Sequence, residues 1–289
     1  MKCKRQNILY VALATALLAG CSSEDELSQI SGSADNVVRI TASVSDPQTR
    51  AGYTTNDLTD FGLSISNPVS SNYSYNNVKV EKSGDEWIPA EPVLWHNLTD
   101  TVDIVAMAPY SSKAGYLVGV SNYEVSVEEN QKKDNTSSDL LVFKKTALVP
   151  KDCNGVLDIK FNHAMSLLNV VVKFSKNSSE TDFLTANPIY DLKICGTKVN
   201  GKCDFTVATP VVTASGNDTK DITAHLSGFK AETATAQAQA TYECILIPQS
   251  VAANGFSIAT YTSSDTYYWV SSKALTFKGG NVYELDLEL

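Results

Sequence analysis

The sequence predicts an all-β protein, and three observations carry that prediction. No window longer than about ten residues keeps a 3.6-residue apolar period with a cap at each end, so long helices have no signal. Roughly fifteen short runs rich in Val, Ile, Tyr, Phe and Thr recur along the chain, parted by Asn, Gly, Pro, Asp and Ser. The final run alternates strictly: Tyr283, Leu285, Leu287 and Leu289 point one way, Glu284, Asp286 and Glu288 the other, as in a strand with one buried face. That many short strands in 289 residues pack as β-sandwiches or barrels.

In chain order, strands are expected near 37–44, 61–66, 77–82, 102–107, 123–127, 139–143 and 155–161. Others are expected near 167–174, 190–195, 203–207, 222–227, 240–247, 256–262, 267–270 and 282–289. Between Leu168 and Phe174 both faces carry Val or Leu, apart from Asn169 and Lys173, so this strand is expected to be central. Asn200-Gly201 is a type I′ hairpin signal between the runs on either side of it. Leu148 to Gly155 gathers a Pro, a Gly and polar turn formers, which reads as a domain junction near 150–155.

The start of the chain reads as an export signal. Lys2, Lys4 and Arg5 precede an apolar run from Ile8 to Leu18, and Leu18-Ala19-Gly20-Cys21 follows. The run is shorter than the ~20 residues that a membrane-spanning helix needs, so residues 1–20 read as a removable signal peptide. Small residues at Ala19 and Gly20 suit a peptidase, and the Cys21 thiol is the lipidation site of a bacterial lipoprotein. Each buried acyl CH₂ contributes about 0.8 kcal/mol, so several chains on Cys21 would hold the protein at the outer membrane. Residues 21–36 form an acidic tether, with Glu24, Asp25 and Glu26 close to the lipid and few large apolar residues. That acidic run resembles the surface-export signal of lipoproteins in anaerobic gut and oral Gram-negative bacteria; a plain acidic linker is the alternative. The domain expectation is therefore 1–20 signal, 21–36 tether, 37–152 first β-sandwich and 153–289 second.

Residues 1–20 hold three basic residues and no acids. Their removal lowers the formal charge from −9 to −12, with 20 basic against 32 acidic residues. Such a chain repels phosphate backbones, which argues against nucleic acid as a partner. Setting aside Cys3 and Cys21, four cysteines remain: Cys153, Cys195, Cys203 and Cys244. In exported sequence they read as structural disulfides or, alternatively, as buried free thiols.

Catalytic signals are sparse. His96, His163 and His225 lie far apart and form no HExxH or HxH pattern, and no GxSxG elbow or phosphate-binding loop is present. The reading is therefore of a non-enzyme with no cofactor and no metal. His163 is expected as a hydrogen-bonded structural imidazole and Trp95 as core. Trp269, in Tyr267-Tyr268-Trp269-Val270, is the candidate for stacking on a sugar ring, with core or strand-pair packing the alternative.

One feature suggests a mechanism. Shortly after the first strand comes Thr49-Arg50-Ala51-Gly52, a small, polar stretch that suits an arginine-specific protease. Cutting between Arg50 and Ala51 would free strand 37–44, expose an apolar groove and leave two unpaired strand edges.

These elements together resemble the fimbrillins, the type V pilins. The resemblance rests on the lipoprotein start, the early strand with Thr49-Arg50-Ala51, Phe61-Gly62-Leu63, and Glu91-Pro92-Val93-Leu94-Trp95 leading into Val102-Asp103-Ile104-Val105-Ala106. It continues through Asp139-Leu140-Leu141-Val142, Phe161-Asn162-His163, Ile245-Leu246-Ile247-Pro248-Gln249 and the closing Phe277, Gly280, Tyr283 and Leu285. Each motif is degenerate; their order over nearly the whole mature chain is the specific part. The resemblance implies two tandem transthyretin-like β-sandwich domains, cleavage at Arg50/Ala51, and donor-strand exchange with other pilin subunits in a cell-surface fimbrium. A host or bacterial surface receptor would be the adhesin's target. Stalk pilins of the family carry donor segments beyond the last core strand, whereas Leu289 lies directly on an alternating strand. The expectation is that this strand is itself the donor or that the chain is a tip or minor subunit. A surface glycan-binding lipoprotein is the second reading.

Overall fold

A computed structural model of the chain describes residues 36–45, 53–175 and 183–289. Its strands run β1 (Arg39–Val44), β2 (Asp60–Ser66), β3 (Tyr75–Ser83), β4 (Glu86–Pro89), β5 (Val102–Ala108), β6 (Tyr123–Ser126), β7 (Leu141–Leu148) and β8 (Val156–His163). They continue as β9 (Ser166–Lys173), β10 (Ile189–Thr197), β11 (Asn200–Asp204), β12 (Val211–Ala214), β13 (Lys220–Thr223) and β14 (His225–Lys230). The last are β15 (Gln239–Leu246), β16 (Gln249–Val251), β17 (Ser257–Thr262), β18 (Thr266–Val270), β19 (Leu275–Phe277) and β20 (Val282–Glu288). The protein is all-β, as its composition and periodicity predict.

Two hydrophobic cores organise these strands. The first lies within a seven-stranded sheet ordered β1-β8-β7-β5-β2-β3-β4. At its centre Phe61 meets Phe161 and Trp87, each at 5.3 Å between ring centroids. Trp95 is buried there, as expected, and its indole N–H donates to the Gly155 carbonyl at 3.2 Å. The second core is enclosed mainly by the sheets β14-β15-β9-β20 and β13-β10-β17-β18, with β12-β11-β6 alongside. Strand β9 sits between β15 and β20 with both faces buried save at Asn169 and Lys173, which is the central position its double-sided apolar pattern demands.

The cores share strands. In β5, Ile104 and Ala106 face the first core while Val105 and Met107 face the second. Period-two alternation sends successive side chains to opposite faces, so a run of Val102, Ile104, Val105, Ala106 and Met107 serves both cores. The junction expected near 150–155 therefore does not separate the sheets. β8 follows it yet pairs with β1 and β7, and β6 precedes it yet pairs with β11. Pro150 to Gly155 is a tight turn inside the first sheet, with Asn154 and Gly155 at φ of 52° and 72°; a turn and a linker draw on the same residues.

Three local expectations are corrected. Asn200-Gly201 is not a hairpin turn: both residues are in β11, which pairs with β6 and β12 and not with β10. Neither has the positive φ that a type I′ turn requires. The chain instead leaves the β10 sheet after a bulge at Gly196, where φ is +83° and a Cβ would lie 1.9 Å from the Gly255 carbonyl oxygen; only glycine fits there. The strand expected at 203–207 stops at Asp204, whose carboxylate accepts from the Thr206 backbone and hydroxyl at 2.7 and 2.6 Å, folding the chain into an Asx turn. The strand expected at 222–227 splits at Ala224: β13 pairs with β10, β14 with β15 in the other sheet, a strand that changes sheets at a corner.

The Asx turn has a second fastening. The Lys144 ammonium on β7 donates to the carbonyls of Phe205, Thr206 and Val207 at 2.7, 2.7 and 2.9 Å. Hydrogen bonds to a charged group contribute about 1.5–3 kcal/mol, and this lysine is partly solvated. Lys144→Met is expected to lower unfolding free energy by about 1–3 kcal/mol, read from urea denaturation; an unchanged midpoint would show the clip to be inert.

Candidate strand-exchange interface

Strand β1 is the element on which the sequence mechanism turns, and its packing is unusual. It lies at one end of the seven-stranded sheet and runs parallel to β8, in register from Arg39 opposite Val156 to Val44 opposite Phe161. The residues just before it reach the segment that follows β4. Val37 bridges Leu94, the Val38 N–H donates to Val93 at 3.0 Å, and the Trp95 N–H donates to Asn36 at 2.7 Å. Residues 36–44 thus join the β8 edge to the segment that follows β4.

Alternation sets what the strand buries. Val38, Ile40 and Val44 are buried in the first core, and Ala42 packs against it, while Arg39 and Thr41 face solvent. Burying each Val or Ile side chain contributes about 1.5–3 kcal/mol. The polar fastenings are few and mostly exposed. Thr41 Oγ1 donates to Asp158 at 2.7 Å, Arg39 donates to the Asn154 carbonyl at 3.4 Å, and the Ser45 N–H donates to Phe161 at 2.7 Å. The Val44 N–H donates to Thr55 Oγ1 at 3.0 Å.

Beside this seam two of the motif elements meet. Asp139 and His163, 24 residues apart in sequence, form a buried pair at 2.7 Å between Oδ2 and Nδ1. The second Asp139 oxygen accepts from the Leu140 N–H at 3.0 Å. His163 Nε2 has no hydrogen-bond partner among the described residues, and Nδ1 donates to the Asp139 carboxylate, which can only accept. The pair fastens the entry to β7 onto the end of β8, as the structural reading of His163 expects. The partnership with Asp139 is not legible from sequence, because nothing local links the two positions.

Other expected site residues separate. Cys21, Arg50 and Ala51 lie outside the described residues. Cys153, Cys195, Cys203 and Cys244 are unpaired with one another in the structure. Cys195, Cys203 and Cys244 belong to three different sheets and Cys153 to the turn before β8. Burial pushes the Cys195 thiol up to about 11, assisted by Asp221, and the Cys203 thiol up to about 12; Cys244, fully buried, is also raised.

These thiols make stability depend on alkaline pH. The folded state keeps its protons where the unfolded state, titrating near 8.5, has lost them. The stabilisation is present below the unfolded value and is lost as pH rises toward the folded ones. Unfolding free energy is expected to fall between about pH 9 and pH 12, and native Cys203 and Cys244 to resist iodoacetamide at pH 8 by mass spectrometry. Rapid labelling of Cys244 in the folded protein would contradict the burial.

Trp269 is half-buried, not fully in the core. Its ring meets Phe256 edge-on at 6.3 Å, while its neighbours Tyr267 and Tyr268 are 46% and 69% exposed.

The fold and this seam define an all-β, twin-core protein whose first sheet has the strand β1 at its edge, parallel to β8. The fimbrillin-like family matches residues 49–289, and the chain belongs to that family. Among solved structures it is similar to a candidate cell adhesion protein from Bacteroides uniformis, with 18% identity, 88% of this chain and 93% of that one covered, and a TM-score of 0.60. It is also similar to a fimbrial protein from Bacteroides vulgatus, with 14% identity, coverage of 88% and 95%, and a TM-score of 0.51. At these identities the likeness is one of fold. No protein with a curated description matches.

Proposed function

We propose that the chain is a structural fimbrial subunit or adhesin, exported as an outer-membrane lipoprotein through Cys21 and displayed at the cell surface. Cleavage between Arg50 and Ala51 removes β1 together with the lipid-bearing tether. The vacated groove then accepts a donor strand from another pilin subunit, with this chain in a tip or minor position. The two cores correspond to tandem transthyretin-like sandwiches, with the N-terminal one including β8.

The observation that supports this most is the way β1 is held. It is a parallel edge strand paired along β8 over six residues, bridged just before its start to residues 93–95, with an apolar inner face and few side-chain hydrogen bonds. Its departure would leave hydrogen-bonding edges on β8 and on residues 93–95, together with an apolar trough, which is the template for strand addition. Membership in a fimbrillin-like family supports assembly with other subunits.

N-terminal sequencing of protein recovered from cells tests the proposal. An Ala51 start in SDS-resistant multimers is the expected result. Persistent monomers after clean cleavage at Arg50 would refute it.

A further inference from the structure

The second core has an open edge of its own, on strands other than those of the β1 seam. One of the two large sheets that enclose it ends in β18, which pairs with β17 on its inner side and with nothing on its outer side among the described residues. Backbone geometry fixes which groups that outer side presents. The Thr262 N–H donates to Asp265 at 2.9 Å and the Ser271 N–H to Phe256 at 3.0 Å, at the two ends of the β17–β18 ladder. Hydrogen-bonded and non-bonded pairs alternate along an antiparallel ladder, so Tyr267 and Trp269 turn their backbone groups toward β17. Thr266, Tyr268 and Val270 turn theirs outward, where they meet no partner among the described residues. We propose that this edge pairs with β18 of a second copy of the chain, antiparallel, about a two-fold axis beside Tyr268 and perpendicular to the sheet.

What the edge lacks points to a strand as the occupant. Sheet edges are guarded by charges, proline or bulges that keep other strands away. The other strands that end the three largest sheets carry such guards: Arg39 on β1, Glu86 and Pro89 on β4, Lys220 on β13, Lys230 on β14 and Asp286 on β20. β18 has none. It reads Thr-Tyr-Tyr-Trp-Val, and its register with β17 runs without a bulge. Tyr267, Tyr268 and Val270 are 46%, 69% and 49% exposed on it.

The same edge is complementary to itself, which selects a second copy. With the axis beside Tyr268, this residue exchanges both backbone bonds with its own counterpart, and Thr266 exchanges both with Val270 on either side. Every outward backbone group is then used. Between these pairs Tyr267 stands opposite Trp269 in the closer, non-bonded kind of pair, and aromatic cross-strand pairs contribute about 0.2–1 kcal/mol each. Asp265 faces Ser271 in this register, so no like charges meet. The β20 edge has no such match. A register that sets its leucines opposite leucines also sets Glu284, Asp286 and Glu288 opposite one another, and like charges directly opposed are destabilising. Tyr267 and Trp269 line the 270 Å³ groove between the β18 and β20 edges. The matching rings of the second copy, on the same face of the enlarged sheet, come to lie at its mouth. The contact is isologous and closes at two chains. It uses neither β1 nor Arg50, so it stands apart from the strand exchange proposed above.

Sedimentation velocity on residues 22–289, which keep β1 and every described residue, tests the pairing. A reversible monomer–dimer equilibrium is expected, with a Kd in the micromolar to millimolar range because the contact is small. SDS should dissociate it, unlike multimers formed by strand exchange. Tyr268→Lys sets two ammonium groups across the axis and Tyr268→Glu two carboxylates, and each is expected to weaken the dimer at least ~10-fold. An equimolar mixture of the two variants is expected to restore association, because Lys then meets Glu. Tyr268→Pro removes an outward N–H, a change that a sheet edge tolerates, and should abolish the dimer. Because Tyr268 is exposed, all three variants are expected to keep the parent melting curve. Tyr190→Ala, at an exposed tyrosine outside β18, should leave association unchanged. The proposal is overturned by protein that stays monomeric up to on the order of 1 mM, or by a dimer that survives Tyr268→Lys and Tyr268→Pro. It is also overturned by a mixture that associates no better than either variant alone, or by another polypeptide or an oligosaccharide seated on β18 in protein that forms no dimer.

Discussion

Deleting residues 21–50 is expected to destabilise the first core by an amount comparable to the whole stability of a domain. Val38, Ile40 and Val44 leave with β1, and at about 1.5–3 kcal/mol each they carry on the order of 5–9 kcal/mol. Domains of this size are stable by only about 5–15 kcal/mol. The edges of β8 and of residues 93–95 lose their partners at the same time. The truncated protein should bind a hydrophobic dye and melt early as a monomer, or form SDS-resistant multimers as concentration rises. A synthetic peptide of residues 36–46 added in trans should restore the melting temperature. Thr41→Val in the intact chain removes only an exposed hydrogen bond to Asp158 and should cost less than about 1 kcal/mol. A deletion that melts like the parent and stays monomeric would mean that β1 closes nothing.

The second large effect is expected at the buried pair beside that seam. Asp139→Ala removes the partner of His163 Nδ1 and the acceptor for the Leu140 N–H, with both side chains of the pair no more than 2% exposed. Breaking a buried polar pair by removing one member costs about 3–5 kcal/mol. Replacing both residues, as in Asp139→Leu with His163→Leu, should cost less than the single change, because no polar group is then stranded. Urea denaturation of the two single variants and the double one measures the coupling. Additive costs would show that the two side chains act independently.

How much could be read in advance varies from strand to strand. β2, β5, β9, β15 and β20 are legible because their apolar pattern is local and strong. β4, β12, β16 and β19 are not: they are three or four residues long, and β4 carries Pro89. Their extended form is imposed by neighbours far away in sequence. In the site, the strand at 37–44 and the importance of Phe161-Asn162-His163 are visible from residues alone. The identity of the partners is not, because β8, residues 93–95 and Asp139 are chosen by topology. Trp269 could be recognised as ambiguous, and its half-buried position at a sheet edge explains why.

The residues alone determine that this chain is all-β, where most strands lie and which of their faces are apolar, because alternation over a few neighbours encodes burial directly. Only the tertiary structure decides that β1 runs parallel to β8, that β8 belongs to the first sheet, that β5 serves two cores and that β18 and β20 end at a common groove. Strand pairing is a contact between distant segments. Any apolar strand satisfies the backbone hydrogen bonds of any other, so the choice among partners is made by how all the faces pack at once.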